Sequence, residues 1–210
     1  MLETMSYTVI LADGIFPQHP VPLDYLRKAE RIVCCDGSAQ NAVGAGLKPF
    51  AIVGDMDSLS PEMKMRFSDR IFQDTEQETN DLSKAVKWCH SKGYNDIIIA
   101  GATGKREDHT IGNISLLAEY AGIVNVRIAT DTGIFLPFLK SCTIKTFPGQ
   151  QISIFSIDPA TRITSTGLRY PLIRKNIRNW WEATLNEALE DHVTLEFDSG
   201  RVIVFLAFKE

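Results

Sequence analysis

The chain has no CxxC pair, and its four cysteines, Cys34, Cys35, Cys89 and Cys142, include two neighbours inside an apolar run. That usage reads as buried, reduced thiols of a cytoplasmic protein rather than a disulfide framework. No apolar stretch reaches membrane length. The start, MLETMSYTVILADG, carries an acid near its front and an apolar run that Asp13 breaks. It reads as neither a signal peptide nor a membrane span. No Lys/Arg run stands out and the net charge is −4, which leaves a nucleic-acid partner without electrostatic support but not a nucleotide. Repeats and low-complexity segments are absent, and so is the GxxxxGK[ST] spacing of a Walker loop. What remains is ordinary: 210 residues, 44% hydrophobic and 23% charged, enough for one large or two small domains with a real core.

Patterning changes partway along. The first part alternates short apolar runs with helical periods. Strands are expected at residues 7–12, 31–35, 50–53, 71–73, 96–100 and 124–129. Helices are expected at 23–30, 38–44, from Asp81 to Gly93, and at 108–122. The third helix has Leu82, Ala85, Val86 and Cys89 at i, i+3, i+4 and i+7, and the fourth places Ile111, Ile114, Leu117 and Ala118 on one face. The run DIIIA suits a strand buried on both faces of a parallel sheet. This predicts a doubly wound, Rossmann-like α/β domain. After about Gly133 the helical signal fades. Strands at 142–147, 151–157, 162–165, 193–197 and 202–208, with a hairpin turn at Asp198-Ser199-Gly200, predict a small antiparallel β-sandwich. The expected division is 1–135 and 136–210.

Acidic residues fall where such a sheet places ligands, beyond the carboxyl ends of its strands. Asp36 ends one strand, Asp55 and Asp57 follow the next, Asp81 opens a helix, and Asp108 lies beyond DIIIA. Asp36-Gly37 alone is a turn, and Asp81 alone is a helix-start residue. Asp55 and Asp57 repel each other beside a glycine, and a hard cation such as magnesium relieves that repulsion. The loop Gly101-Ala102-Thr103-Gly104-Lys105-Arg106 lets backbone N–H groups approach phosphates, with two cations at hand. His109 is either a phosphate donor or a first-turn residue. Asn41 either contacts a nucleotide or finishes a helix turn.

Several motifs together resemble the thiamine pyrophosphokinase family. Asp36-Gly37-Ser38-Ala39-Gln40-Asn41 is similar to its DGGAN element, with Ser38 for the second glycine. Gly54-Asp55-Met56-Asp57-Ser58 resembles GDxDS, and Glu78-Thr79-Asn80-Asp81 resembles D-x-TD. Residues 101–109 with Asn113 resemble G-x-x-GGR-x-DH…N, and Ser165-Thr166-Gly167-Leu168-Arg169-Tyr170-Pro171-Leu172 is similar to T-x-GL-x-aromatic-x-L. The resemblance implies an ATP domain, a β-sandwich that holds thiamine and dimerises, and transfer of pyrophosphate from ATP to thiamine with release of AMP. It implies magnesium on Asp55, Asp57 and Asp81 with Asp36 in support. Asp36, Asn41, Gly101, Thr103, Gly104, Lys105, Arg106 and His109 would then meet ATP, with Asp108 orienting Arg106 or His109. Where the family has Ser-Asn with an aromatic soon after, this chain has Leu185-Asn186-Glu187-Ala188. Asn186 with Tyr170, Trp180 and Trp181 are therefore the candidates for thiamine, the aromatics alternatively packing a core or a dimer. A phosphotransferase acting on another hydroxyl compound and a nucleotide-sensing module are the rival readings.

Overall fold

A computed structural model describes residues 6–209. Two compact units emerge, the first taking the chain up to Leu116 with Ile123–Asp131, the second Leu117–Gly122 with Thr132 onward. The elements run β1 (Thr8–Leu11), α1 (Pro20–Lys28), β2 (Arg31–Cys35), α2 (Ser38–Gly44), β3 (Ala51–Gly54), α3 (Pro61–Arg66), β4 (Ile71–Gln73), α4 (Asp81–Ser91), β5 (Asp96–Ala100), α5 (Glu107–Tyr120) and β6 (Asn125–Ala129). They continue with β7 (Gly133–Phe138), β8 (Cys142–Lys145), β9 (Gln151–Ser156), β10 (Arg162–Thr166), β11 (Lys175–Asn176), a 3-10 turn (Trp180–Ala183), β12 (Asn186–Glu187), β13 (His192–Glu196) and β14 (Val202–Ala207).

In the first unit the strands run in the order β6-β5-β1-β2-β3-β4, all parallel. Every residue of β1 is buried, as are Ile97, Ile98, Ile99 and Ala100 of β5, which is why DIIIA is unbroken by polar residues. Each fully buried Ile or Leu contributes roughly 2 kcal/mol. Helix α4 follows its periodicity: Asn80 caps it by accepting from the Ser83 N–H at 2.9 Å, and Leu82, Ala85, Val86 and Cys89 are buried. It stops where Gly93, at φ +79°, lets Tyr94 N–H reach the Cys89 carbonyl at 3.0 Å. Helix α5 departs from expectation at Ile111, which is 58% exposed. Its first turns border a cavity and turn His109, Thr110 and Asn113 inward there.

The second unit pairs antiparallel strands in two sheets, β12-β9-β14-β7 and β11-β10-β13-β8. Alternate residues of β9, β10 and β13 point into one core of Ile152, Ile154, Ile163, Val193 and Leu195, as a sandwich requires. Strand β7 is unanticipated. It contains Pro137, opposite Ile203, and proline within an apolar run masks a strand in sequence. The turn at 198–200 is not a hairpin, because β13 and β14 lie in different sheets. Gly200, at φ +109°, packs so tightly that a Cβ there would meet Thr161 Oγ1 at 1.9 Å. The chain is thereby turned from one sheet to the other.

That turn is held by Arg201, which donates from Nε and a terminal nitrogen to Asp158 at 3.1 and 2.9 Å, while its backbone N–H donates at 2.8 Å. Arg201 holds the Asp158 carboxyl below its usual range. A depressed acid stabilises the fold above the unfolded carboxylate range, and that contribution disappears as pH falls through the folded value. Both side chains are more than a third exposed, so Asp158→Asn should cost no more than about 1 kcal/mol at neutral pH. Urea unfolding of the two proteins should converge below about pH 3.

Candidate active site

The strand order reverses at β1, flanked by β2 on one side and β5 on the other. Open α/β sheets bind ligands at such a switch point, outside the carboxyl strand ends. A cavity of about 340 Å³ lies there, lined by Asp13, Gly14, Ser58, Asn80, Asp81, Thr103, Lys105, Arg106, His109 and Asn113 among others. Its size suits a small molecule.

Beside it, β2 and β3 deliver the carboxylates. One oxygen each from Asp36, Asp55 and Asp57 lie within 4.8 Å of one another. Local backbone makes this possible. Asp36 and Met56 take left-handed conformations at φ 37° and 68°, which cost about 1 kcal/mol or more apiece in a non-glycine residue. Met56 drives its side chain into the core at 4% exposure. Asp55, partly buried, and Asp57, exposed, flank that anchor. Gly54 allows close packing, since a Cβ there would lie 3.0 Å from the Asp81 carboxyl and 3.1 Å from Asp36 Cβ.

The charges are crowded and unevenly satisfied. Asp36 Oδ2 accepts from Ser58 N–H at 3.0 Å, whereas Oδ1 is buried with no hydrogen-bond partner. Burial, with Asp57 and Asp81 nearby, pushes the Asp36 carboxyl up to about 6. Burial and the Asp55 charge also raise Asp81, against the opposing ammonium of Lys84. Asp55 is lowered instead, chiefly by the Asp57 backbone N–H at 3.2 Å. Hard oxygens at short range, one of them orphaned, fit a hard divalent cation. Asp81 stands beside this group, against Gly54, rather than among the three whose oxygens meet.

Replacing Asp36 by Asn removes a buried charge with one oxygen unsatisfied and carboxylates for neighbours. In chelator at neutral pH, the thermal midpoint of Asp36→Asn should equal or exceed that of the parent. Millimolar magnesium is expected to raise the midpoint of the parent and to leave that of the variant unchanged. A lower midpoint in chelator would show the Asp36 charge to be satisfied within the fold.

The opposite wall is the loop after β5. Gly101 and Gly104 take φ +67° and +97°. The loop is stitched to the segment after β1: Gly14 N–H donates to Gly101 O at 2.6 Å, and Ile15 N–H to Thr103 O at 2.9 Å. Lys105 reaches Asp13 at 3.0 Å, and Arg106 grips Asp108 through two nitrogens at 3.1 and 2.5 Å. Asp108 also accepts from the His109 backbone at 2.9 Å and is held below its usual range, mainly by Arg106. Asn80 donates to Asn113 at 3.2 Å, and Asn113 to the Ala102 carbonyl at 2.9 Å. This fixes the start of α4 to the loop.

Asp81, Thr103, Lys105, Arg106 and His109 thus line the cavity, Gly101 and Gly104 shape its loop, and Asp36, Asp55 and Asp57 cluster together. Asn41 is exposed on α2 and is not among the lining residues. Sequence reasoning passed over Asp13, Gly14 and Lys84 as site residues. The signal for the first two was Asp13-Gly14 closing a strand, as Asp36-Gly37 does.

In the second unit, Tyr170 and Trp181 are 65% and 75% exposed, while Trp180 meets Phe155 edge-on at 5.7 Å. Asn186 is buried; it accepts from Tyr170 N–H at 3.1 Å and donates to Tyr170 O at 2.7 Å. Its amide therefore holds the Tyr170 segment in place.

Comparison with known proteins identifies the family. Residues 23–133 match the family described as thiamin pyrophosphokinase, catalytic domain, and 133–205 match thiamin pyrophosphokinase, substrate-binding domain. Thiamine pyrophosphokinase 1 of Oryza sativa subsp. japonica is 31% identical over 198 residues, covering 80% of this chain and 74% of that protein. Thiamine pyrophosphokinase of Bacillus subtilis is 29% identical over 191 residues, covering 80% and 83%. Among solved structures, a thiamin pyrophosphokinase family protein from Enterococcus faecalis superposes with a TM-score of 0.81 at 21% identity, over 98% of this chain and 100% of that one. The Bacillus subtilis enzyme superposes at 0.78 and 24% identity, over 98% and 100%. Matched along both of its units, this chain belongs to the thiamin pyrophosphokinase family.

Proposed function

We propose that this chain is a thiamine diphosphokinase that moves the pyrophosphoryl group of ATP onto the thiamine hydroxyl, giving thiamine diphosphate and AMP. The observation that carries this reading is the cluster of Asp36, Asp55 and Asp57, one oxygen orphaned, beside a switch-point cavity whose other wall bears Lys105 and Arg106. Carboxylates beside a cavity whose lining carries two cations suit a polyphosphate and its metal.

Phosphoryl-type transfer is mainly positioning and charge neutralisation. Asp36, Asp55 and Asp57, with Asp81 beside them, would hold magnesium, which when bound offsets phosphate charge and polarises the bonds to the transferred group. Lys105 and Arg106 neutralise charge that develops on the oxygens of that group. Asp108 keeps the Arg106 guanidinium in one orientation by a two-point grip. The N–H groups and left-handed glycines of residues 101–104 let phosphate approach the backbone.

The second unit is proposed to take thiamine, a two-ring cation suited to stacking on Tyr170, Trp180 or Trp181. The homodimer is proposed from the family resemblance.

The test is product identity. AMP should appear only when ATP, magnesium and thiamine are all present, in equal amount to thiamine diphosphate. ADP instead would indicate ordinary kinase chemistry on a hydroxyl compound. Tight ATP binding without turnover would indicate a sensor.

A further inference from the structure

Lys84 is the least expected residue near the site. It occupies the second turn of α4, close to the positive end of the helix dipole, where a cation is unfavourable. Its side chain is only 3% exposed, and lysines are almost never fully buried unless paired. The partner is Asp81, whose Oδ1 lies 3.4 Å from Nζ. The same ammonium lowers Asp55. Lys84 does not line the cavity, whereas Asp81 does. Replacing both members of a buried ion pair by apolar groups is commonly neutral for the fold. Removing the ammonium alone leaves the carboxylate without its counter-charge, here an Asp81 side chain that is 32% exposed and so partly hydrated.

Resting on the proposed transfer reaction, we infer that Lys84 is a positioning residue. Its ammonium fixes the Asp81 carboxylate where it faces the cavity. Lys84 acts through Asp81 and never touches substrate. The bland alternative is a helix-stabilising pair three residues apart. The two differ in what they cost when removed: a stabilising pair costs melting temperature, a positioning residue costs turnover.

The experiment compares the full-length chain with Lys84→Met, Asp81→Asn and the double variant, reading kcat, both KM values and the thermal midpoint. Lys84→Met should lower kcat at least about tenfold while both KM values change less than about twofold. Removing one partner of a buried pair also costs stability, so kcat and KM are read well below the thermal midpoint of each variant. In the Asp81→Asn background, adding Lys84→Met should change kcat less than about twofold, because the group it acts through is gone. Unchanged kcat in Lys84→Met would overturn the inference. So would a further tenfold fall in the double variant, and that arm decides the matter even if Lys84→Met alone does not fold. A parent chain that yields no AMP would sink the transfer reaction and this inference with it. An active parent with an equally active Lys84→Met would sink the inference alone.

Discussion

Asp57→Asn should lower magnesium-dependent AMP release on the order of 10³-fold, because one charged ligand of the metal–phosphate assembly is lost where chemistry is mostly electrostatic. The substitution is a clean one. Asp57 is exposed, and its recorded side-chain bond, from Ser58 Oγ at 3.0 Å, can be accepted by an amide oxygen. The midpoint of thermal unfolding in chelator should therefore be preserved. The loss should fall mainly on kcat and on the magnesium concentration required, with the thiamine KM little changed. Full magnesium-dependent turnover in this variant would remove Asp57 from the metal site.

The second large effect is expected at Gly14. A Cβ there would lie 2.3 Å from Gly101 O and 2.5 Å from Thr103 O, both backbone atoms. Backbone cannot swing aside as a side-chain tip can, so Gly14→Ala must push the segment after β1 away from the loop after β5. The Gly14–Gly101 and Ile15–Thr103 hydrogen bonds would be strained together. Overpacking of this kind costs roughly 1–3 kcal/mol. Displacing the phosphate-facing loop by about 1 Å should cost on the order of 10²-fold in turnover. Gly112→Ala is the control, because nothing lies within 4 Å of its Cβ position. It should be neutral or slightly stabilising in its helix. Urea unfolding and ATP titration of both variants check the pair, and equal behaviour of the two would contradict the close approach.

The first unit was legible because its signals are local. DIIIA reports a strand buried on both faces, and the Leu82–Cys89 spacing with Asn80 and Gly93 reports a capped helix. Asp36, Asp55 and Asp57 were legible for the same reason, since they follow apolar runs. What the sequence hides is long-range. The meeting of Asp36 with Asp55 and Asp57 depends on β2 and β3 being neighbours and on left-handed turns at Asp36 and Met56, where no glycine marks them. Gly14 matters only because β1 lies beside β5. Lys84 carries no local mark in the sequence, and its burial comes from packing alone. In the second unit, Pro137 concealed β7, and the turn at 198–200 resembled a hairpin because a turn signal does not say which sheet comes next. The Asn186 amide is bonded to the Tyr170 backbone, a pairing that no spacing announces.

The proposed reaction is attack on the β-phosphorus, so the direct measurement follows that atom. ATP labelled at its β-phosphorus is incubated with the purified chain, magnesium and thiamine, and the products are separated. The label should move entirely into thiamine diphosphate, with the AMP unlabelled. Label retained in a nucleotide diphosphate, with thiamine carrying a single phosphate, would contradict pyrophosphoryl transfer.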